Sequence, residues 1–214
     1  MIRPAAPFRR PAAAIAAVVL AAALSGCGDM QTSADDLYES ARQHNLLFKQ
    51  TVATVLLQLY DGDWQVQEYG DAPVDCDGGY GFELGRTTPE GWTLDGDAHF
   101  DAPTLGHRVA QWLTDRGWTT RDAATAADGT VMVQAADAPL GLARLVVEIR
   151  DGEASADSLS VHATTDCFHG DPDELTAILY PGWPDNPADH EPLPVSEPAG
   201  ATPVFGFTED GRPR

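Results

Sequence analysis

Three cysteines, Cys27, Cys76 and Cys167, offer the most versatile chemistry in the chain, since a thiol can be a nucleophile, a metal ligand or half of a bridge. Nucleophilic use requires a base or a helix N-terminus to lower the thiol pKa. His169, two residues past Cys167, is the one neighbour of that kind. Pairing Cys76 with Cys167 is the competing use. It would close a loop of about 90 residues and, in the chain-entropy model, contribute roughly 4–5 kcal/mol. Cys167 continues the alternation of Leu159, Val161 and Ala163, which predicts that it turns into the same core.

The six histidines (His44, His99, His107, His162, His169 and His190) form no His-x-His or His-Glu-x-x-His pattern, and the cysteines lack zinc-finger spacing. His99 and His107 flank a helix start and could meet a carboxylate such as Asp97 or Asp101, with separate surface or capping histidines the competing reading. Aspartates gather as Asp61/Asp63, Asp75/Asp77 and Asp95/Asp97. The run 75–78 matches part of a calcium loop but lacks its third oxygen ligand and its closing glutamate. Turns account for all three clusters, because Asp and Gly are what tight turns prefer. Ser160 and His162 share a strand face, yet there is no Gly-x-Ser-x-Gly elbow, and Gly78-Gly79-Tyr80-Gly81 lacks the lysine of a phosphate loop. Trp64, Trp92, Trp112 and Trp118 could stack on sugar rings, with core or edge packing the competing fate. No catalytic, cofactor or metal set is assigned.

The ends of the chain decide how the cysteines are read. Arg3, Arg9 and Arg10 precede an apolar run from Ala12 to Leu24, too short for an ordinary transmembrane helix and laid out as an export signal. The run closes on Leu24-Ser25-Gly26-Cys27, which resembles the bacterial lipobox. That resemblance implies a diacylglycerol on the Cys27 thiol, with palmitate-type acyl chains, and cleavage after Gly26. Residues 1–26 are thus expected to be a lipoprotein signal peptide. With Cys27 assigned to lipid, an even pair remains in an oxidising compartment, where a Cys76–Cys167 disulfide is the default. Removing 26 of 214 residues leaves 188 and takes away three Arg and no acid, so the net charge moves from −20 to −23. Such a surface repels nucleic acid and gains nothing from anionic lipid headgroups, so attachment must rest on the acyl chains. Lys49 is the one lysine among 13 basic residues, which with abundant Ala, Gly, Pro and Asp suggests a GC-rich, actinobacterial source.

Behind the anchor, residues 27–32 read as a short polar tether. Ser33 followed by Asp35 and Asp36 caps a long helix with Leu37, Ala41, Phe48, Val52, Val55 and Leu59 on one face, ended by Asp61-Gly62-Asp63. A strand around Trp64–Glu68 follows, then a turn holding Cys76, then strands near Tyr80–Leu84 and Gly91–Leu94. Asp101 and Pro103 open a second helix with Leu105, Val109, Trp112 and Leu113 on its stripe, stopped by Gly117. Val131–Ala135, Leu145–Ile149 and Leu159–Ala163 alternate as a three-strand meander with one polar face. Asp171-Pro172 begins a last short helix with Leu175 and Ile178. The expected fold is a two-layer α+β domain over residues 33–180, an antiparallel sheet covered by two main helices. Residues 181–214, rich in Pro and acids, are expected to be a mostly disordered tail, with Val204–Phe207 able to dock.

This order of parts resembles the LppA-like lipoproteins of mycobacteria and related actinobacteria over about residues 27–168. The shared features are the lipobox, a long helix followed by Trp64, Cys76 before the sheet, Arg116-Gly117-Trp118-Thr119-Thr120 after the second helix, and Thr165-Asp166-Cys167. The resemblance implies an envelope protein with one disulfide and transfers no catalytic residues. The expected function is a lipid-anchored module on the extracytoplasmic face of the cell membrane, binding an envelope protein or cell-wall component without catalysis. The alternatives are an envelope hydrolase built from scattered His and Asp residues, or a structural surface module.

Overall fold

The computed structural model describes residues 33–94, 101–152, 156–181 and 194–206. Cys27 and the signal segment therefore lie outside the described residues. So do His99, His190, the Asp95/Asp97 pair and Phe207. Within the described residues, nine strands form one antiparallel sheet packed with three helices, the expected two-layer α+β arrangement.

Helix α1 (Ala34–Leu59) starts where Ser33 Oγ accepts from the Asp36 N–H at 3.1 Å, with Asp35 and Asp36 set against the positive end of the helix dipole. Leu37, Ala41, Phe48, Val52, Val55 and Leu56 are buried against the sheet, and so are two polar residues on the same stripe, Asn45 and Lys49. The helix ends at Tyr60, whose carbonyl accepts from the Trp64 indole at 3.0 Å. A Cβ at Gly62 would overlap the end of the Tyr60 ring, so a side chain there would require that ring to shift.

Strand β1 (Asp63–Glu68) and the hairpin β2 (Pro73–Cys76) to β3 (Gly79–Thr87) follow. Asp77-Gly78 forms the two-residue hairpin link, with Gly78 at φ 84°, as expected for this dipeptide. Residues Gly91–Leu94, expected as a strand, make a turn instead. Trp92 N–H reaches back to the Pro89 carbonyl at 3.1 Å, and Leu94 N–H is taken by the Asp157 carboxylate at 2.8 Å, so neither is left for a ladder.

Helix α2 (Ala102–Asp115) is capped by Asp101, which accepts from Thr104 N–H at 2.7 Å. Val109 and Leu113 are fully packed; Leu105 and Trp112 are only half-buried, because Ala102 and Gly106 face the sheet more directly. The meander has four strands rather than three: β4 (Thr119–Thr125), β5 (Val131–Asp137), β6 (Leu142–Arg150) and β7 (Ser158–Thr165). β4 carries no large apolar alternation, since it is an edge strand with a bulge between Arg121 and Ala124 and takes its order from β5. β8 (Phe168–His169) pairs with the start of β3, and α3 (Pro172–Leu179) buries Leu175 and Leu179.

The largest departure from expectation lies in the tail. Residues 194–206 are ordered, and β9 (Ser196–Pro198) pairs antiparallel with β1, giving the sheet order β4-β5-β6-β7-β3-β1-β9. Ala199 and Phe205 are buried. The domain therefore reaches Gly206 and does not stop at residue 180. Pro and Glu content lowers local propensity, but the backbone of β1 and a waiting apolar site supply the order from a distance.

Candidate functional site

The helices lie on one face of the sheet, and a cluster of charges is buried where α1, β1 and β3 converge. α1 brings Asn45 and Lys49 to this point, four residues apart on its core face. The link from β1 to β2 supplies Tyr69, Gly70 and Asp71. β3 contributes Arg86, which takes a core-facing position in line with Phe82 and Leu84. The segment 194–206 closes the cluster with Glu197 and with backbone groups of Val204 and Gly206.

Lys49 Nζ contacts Asp71 Oδ1 at 2.5 Å and donates to the Val204 carbonyl at 2.9 Å. The other carboxylate oxygen, Asp71 Oδ2, accepts from Gly206 N–H at 3.0 Å. Asn45 donates to the Gly70 carbonyl, holding the loop that presents Asp71. Arg86 donates to the Glu68 and Gly85 carbonyls at 2.6 and 2.9 Å and meets Glu197 Oε2 at 2.9 Å. The Tyr69 ring lies 3.8 Å from Lys49 Nζ and 5.7 Å from the Arg86 guanidinium carbon, a cation–π position for both. Lys49, Asp71 and Arg86 are 6 %, 0 % and 4 % exposed, so the pairing takes place out of water.

Burial sets the electrostatics. It pushes the Lys49 ammonium pKa down and the Asp71 carboxyl up, each opposed by attraction to the other. Tyr69 is raised by burial and by the carboxylates of Glu197 and Asp71, so its phenol stays protonated. Two cations face two carboxylates, and the bonds of Lys49 to Asp71 and Val204 occupy the nitrogen that a nucleophilic lysine would need free. A cavity of about 30 Å³ beside the cluster, lined by Lys49, Trp64, Tyr69, Arg86 and Glu197 among others, has room for water. The arrangement is chemically a clamp that fastens the C-terminal segment to α1 and β3.

None of these residues was marked as a site by the sequence. The one available signal is Lys49, the single lysine, standing between Phe48 and Val52 on the apolar stripe of α1.

The residues that the sequence does single out are dispersed. Cys76 and Cys167 form a disulfide with Cα atoms 5.9 Å apart, which settles the choice between bridge and thiolate. Cys167 does not enter the core as its spacing suggested. β7 ends at Thr165, whose hydroxyl accepts from Phe82 N–H and donates to the Asp166 carbonyl, and Cys167 follows in the exposed link to β8. His44 stacks on Phe168 at 3.9 Å, His107 is exposed on α2, and His162 lies on the helix-free face of the sheet. Ser160 shares that face, with its hydroxyl 3.1 Å from that of Thr87. Among the described residues, no three His, Cys, Asp or Glu side chains gather as a metal site. Trp64 and Trp118 are buried, and Trp92 and Trp112 are half-buried, Trp112 beneath the Arg116 guanidinium at 4.0 Å.

His44 should make the stability of the fold depend on pH. Its ring lies flat on Phe168, its Nδ1 is buried with no hydrogen-bond partner among the described residues, and burial lowers its pKa. Below the ordinary histidine value of about 6.5 the unfolded chain holds this proton more readily than the folded one, so stability falls as pH drops. The unfolding midpoint should therefore decrease between about pH 7.5 and about pH 5.5. His44→Phe, which keeps the stack and removes the proton site, should show a smaller decrease. An equal decrease in both proteins would assign the effect to another group.

Comparison of the chain with protein-family models, with curated proteins and with solved structures found no match.

Proposed function

We propose that this protein is a lipoprotein of the cell envelope, anchored through acyl chains on Cys27, whose disulfide-locked domain acts as a non-enzymatic binding module. The pairing of the cysteines carries the reading. With Cys76 bonded to Cys167, the thiol left over is the one that ends Leu24-Ser25-Gly26-Cys27. A disulfide also belongs to an oxidising compartment, in agreement with the basic and apolar regions that precede Cys27.

The position of Ser33, six residues beyond Cys27, sets how the domain would sit. Even fully extended, that tether spans only about 20 Å, which keeps the start of α1 near the membrane surface. Among the described residues, no helix is long and apolar enough to cross a membrane. Among the described residues no helix packs on the sheet face that carries Arg121, Gln134, Val146 and His162 in one cross-strand row, and the exposed Arg121 and His162 at its two ends are the groups it offers a partner.

Cys27→Ala tests the anchor. In a lipoprotein-processing host fed an alkyne fatty acid, the wild-type chain should be labelled and cut before Cys27. The variant should take up no label and retain residues 1–26. A variant that still matures and stays with the membrane would end the proposal.

A further inference from the structure

Residues 194–206 sit on the rest of the domain as a bound peptide would. Their backbone extends the sheet: Val66 N–H donates to the Val195 carbonyl at 2.9 Å, β9 pairs with β1, and Ala199 N–H donates to the Gly62 carbonyl at 3.0 Å. Two side chains anchor the segment at separate sites. Glu197 meets Arg86, and Phe205, 1 % exposed, packs between the rings of Tyr38 and Phe82, each 5.7 Å away. Between and beyond these anchors the domain reads main-chain groups, Lys49 taking the Val204 carbonyl and Asp71 the Gly206 N–H. A strand added to a sheet edge, with side-chain pockets fixing direction and register, is a common way for proteins to hold an extended peptide.

We propose that the cleft between α1 and β1 is a peptide-binding groove, filled here by the chain's own residues 194–206, and that it takes the same segment from a second copy of the chain. These interactions join residues distant in sequence, and none depends on the two parts being covalently continuous. The connection is the single stretch 182–193, twelve residues that include Pro184, Pro187 and Pro192. Fully extended it reaches up to about 40 Å. An element held in this way through one connection can exchange between identical copies at little cost, because each bond broken within a copy is remade between two. The balance between the two forms then follows the effective concentration of the tethered segment against that of the second copy.

Leu57, on α1 and 45 % exposed, offers a place to test this, because its side chain stands 3.7 Å from where a Cβ on Gly200 would lie. A photo-reactive residue at position 57 of the full mature chain, in isotopically heavy and light preparations refolded together, reports which copy supplies the segment. The expected result is heavy–light crosslinks from position 57 to residues 199–203, in a fraction that rises with protein concentration and drops at least tenfold for copies carrying Glu197→Ala and Phe205→Ala. Crosslinks confined to heavy–heavy and light–light pairs at every concentration up to about 1 mM, where the effective concentration of a short tether is matched, would overturn the proposal. So would heavy–light crosslinks that land elsewhere on the chain. The wild-type segment carries the decision, so the outcome stands even if the double variant folds poorly.

Discussion

Asp71→Ala should destabilise the domain by about 3–5 kcal/mol, among the largest losses that any single substitution here can cause. The carboxylate is wholly buried and serves two groups at once, the Lys49 ammonium and the Gly206 N–H. Removing it leaves a buried ammonium whose remaining hydrogen-bond acceptor among the described residues is the Val204 carbonyl. It also unfastens residues 204–206, so Phe205 loses part of what holds it between Tyr38 and Phe82. Domains of this size are stable by only about 5–15 kcal/mol, so the loss is a large share of the total. Lys49→Met should cost a similar amount by stranding Asp71.

The double variant separates two meanings of that cost. Burial works against both charged forms, raising the carboxyl pKa and lowering that of the ammonium, which is the situation in which an ion pair gains little over apolar packing. Lys49→Met with Asp71→Leu should therefore recover most of the loss, to within about 1–2 kcal/mol of wild type. Urea unfolding of the chain from residue 28 onward would measure all three variants. A loss below about 1 kcal/mol for either single variant would mean that the pair is solvated, in conflict with its burial. Failure of the double variant to recover would mean that the pair contributes net stability.

These residues also show where a sequence stops being readable. α1 and α2 were legible because caps and stripes are local: Ser33 with Asp36, Asp101 with Thr104, and apolar residues three and four apart. The three inner meander strands were legible by alternation, which arises when one face is buried and the other wet. β4 was not, because Thr119–Thr125 sits at an edge where the face toward α2 is only half-buried and is filled by small residues, Ala123 lying beside Gly106. Of the clamp, only Lys49 on the apolar stripe of α1 leaves a local signal. Arg86 and Glu197 are 111 residues apart and Lys49 and Val204 are 155 apart, so no window of sequence contains either contact. A Pro-rich, acidic segment reads as disordered when judged alone, and its order is conferred by a groove assembled from three other parts of the chain.

Opening the Cys76–Cys167 bridge should have an effect of comparable size for a different reason. The bridged residues are 91 apart, and a crosslink over that span removes chain entropy from the unfolded state worth about 4–5 kcal/mol in the loop-closure model. The folded state contributes as well, since the bridge fastens the end of β2 to the link between β7 and β8. That link leads at once into Phe168, on which His44 stacks, and β2 leads back to the loop that presents Asp71. Cys76→Ser with Cys167→Ser should thus lower stability by roughly 3–5 kcal/mol, seen as an earlier urea midpoint with a steeper slope, because the unbridged chain exposes more surface on unfolding. Because Cys167 is exposed, a reductant should reach the bridge in the folded protein and bring the wild type down to the level of the double variant. A double variant as stable as wild type would mean that the hairpin and β8 hold their places without the bond, leaving the bridge no part in fixing the loop that carries Asp71.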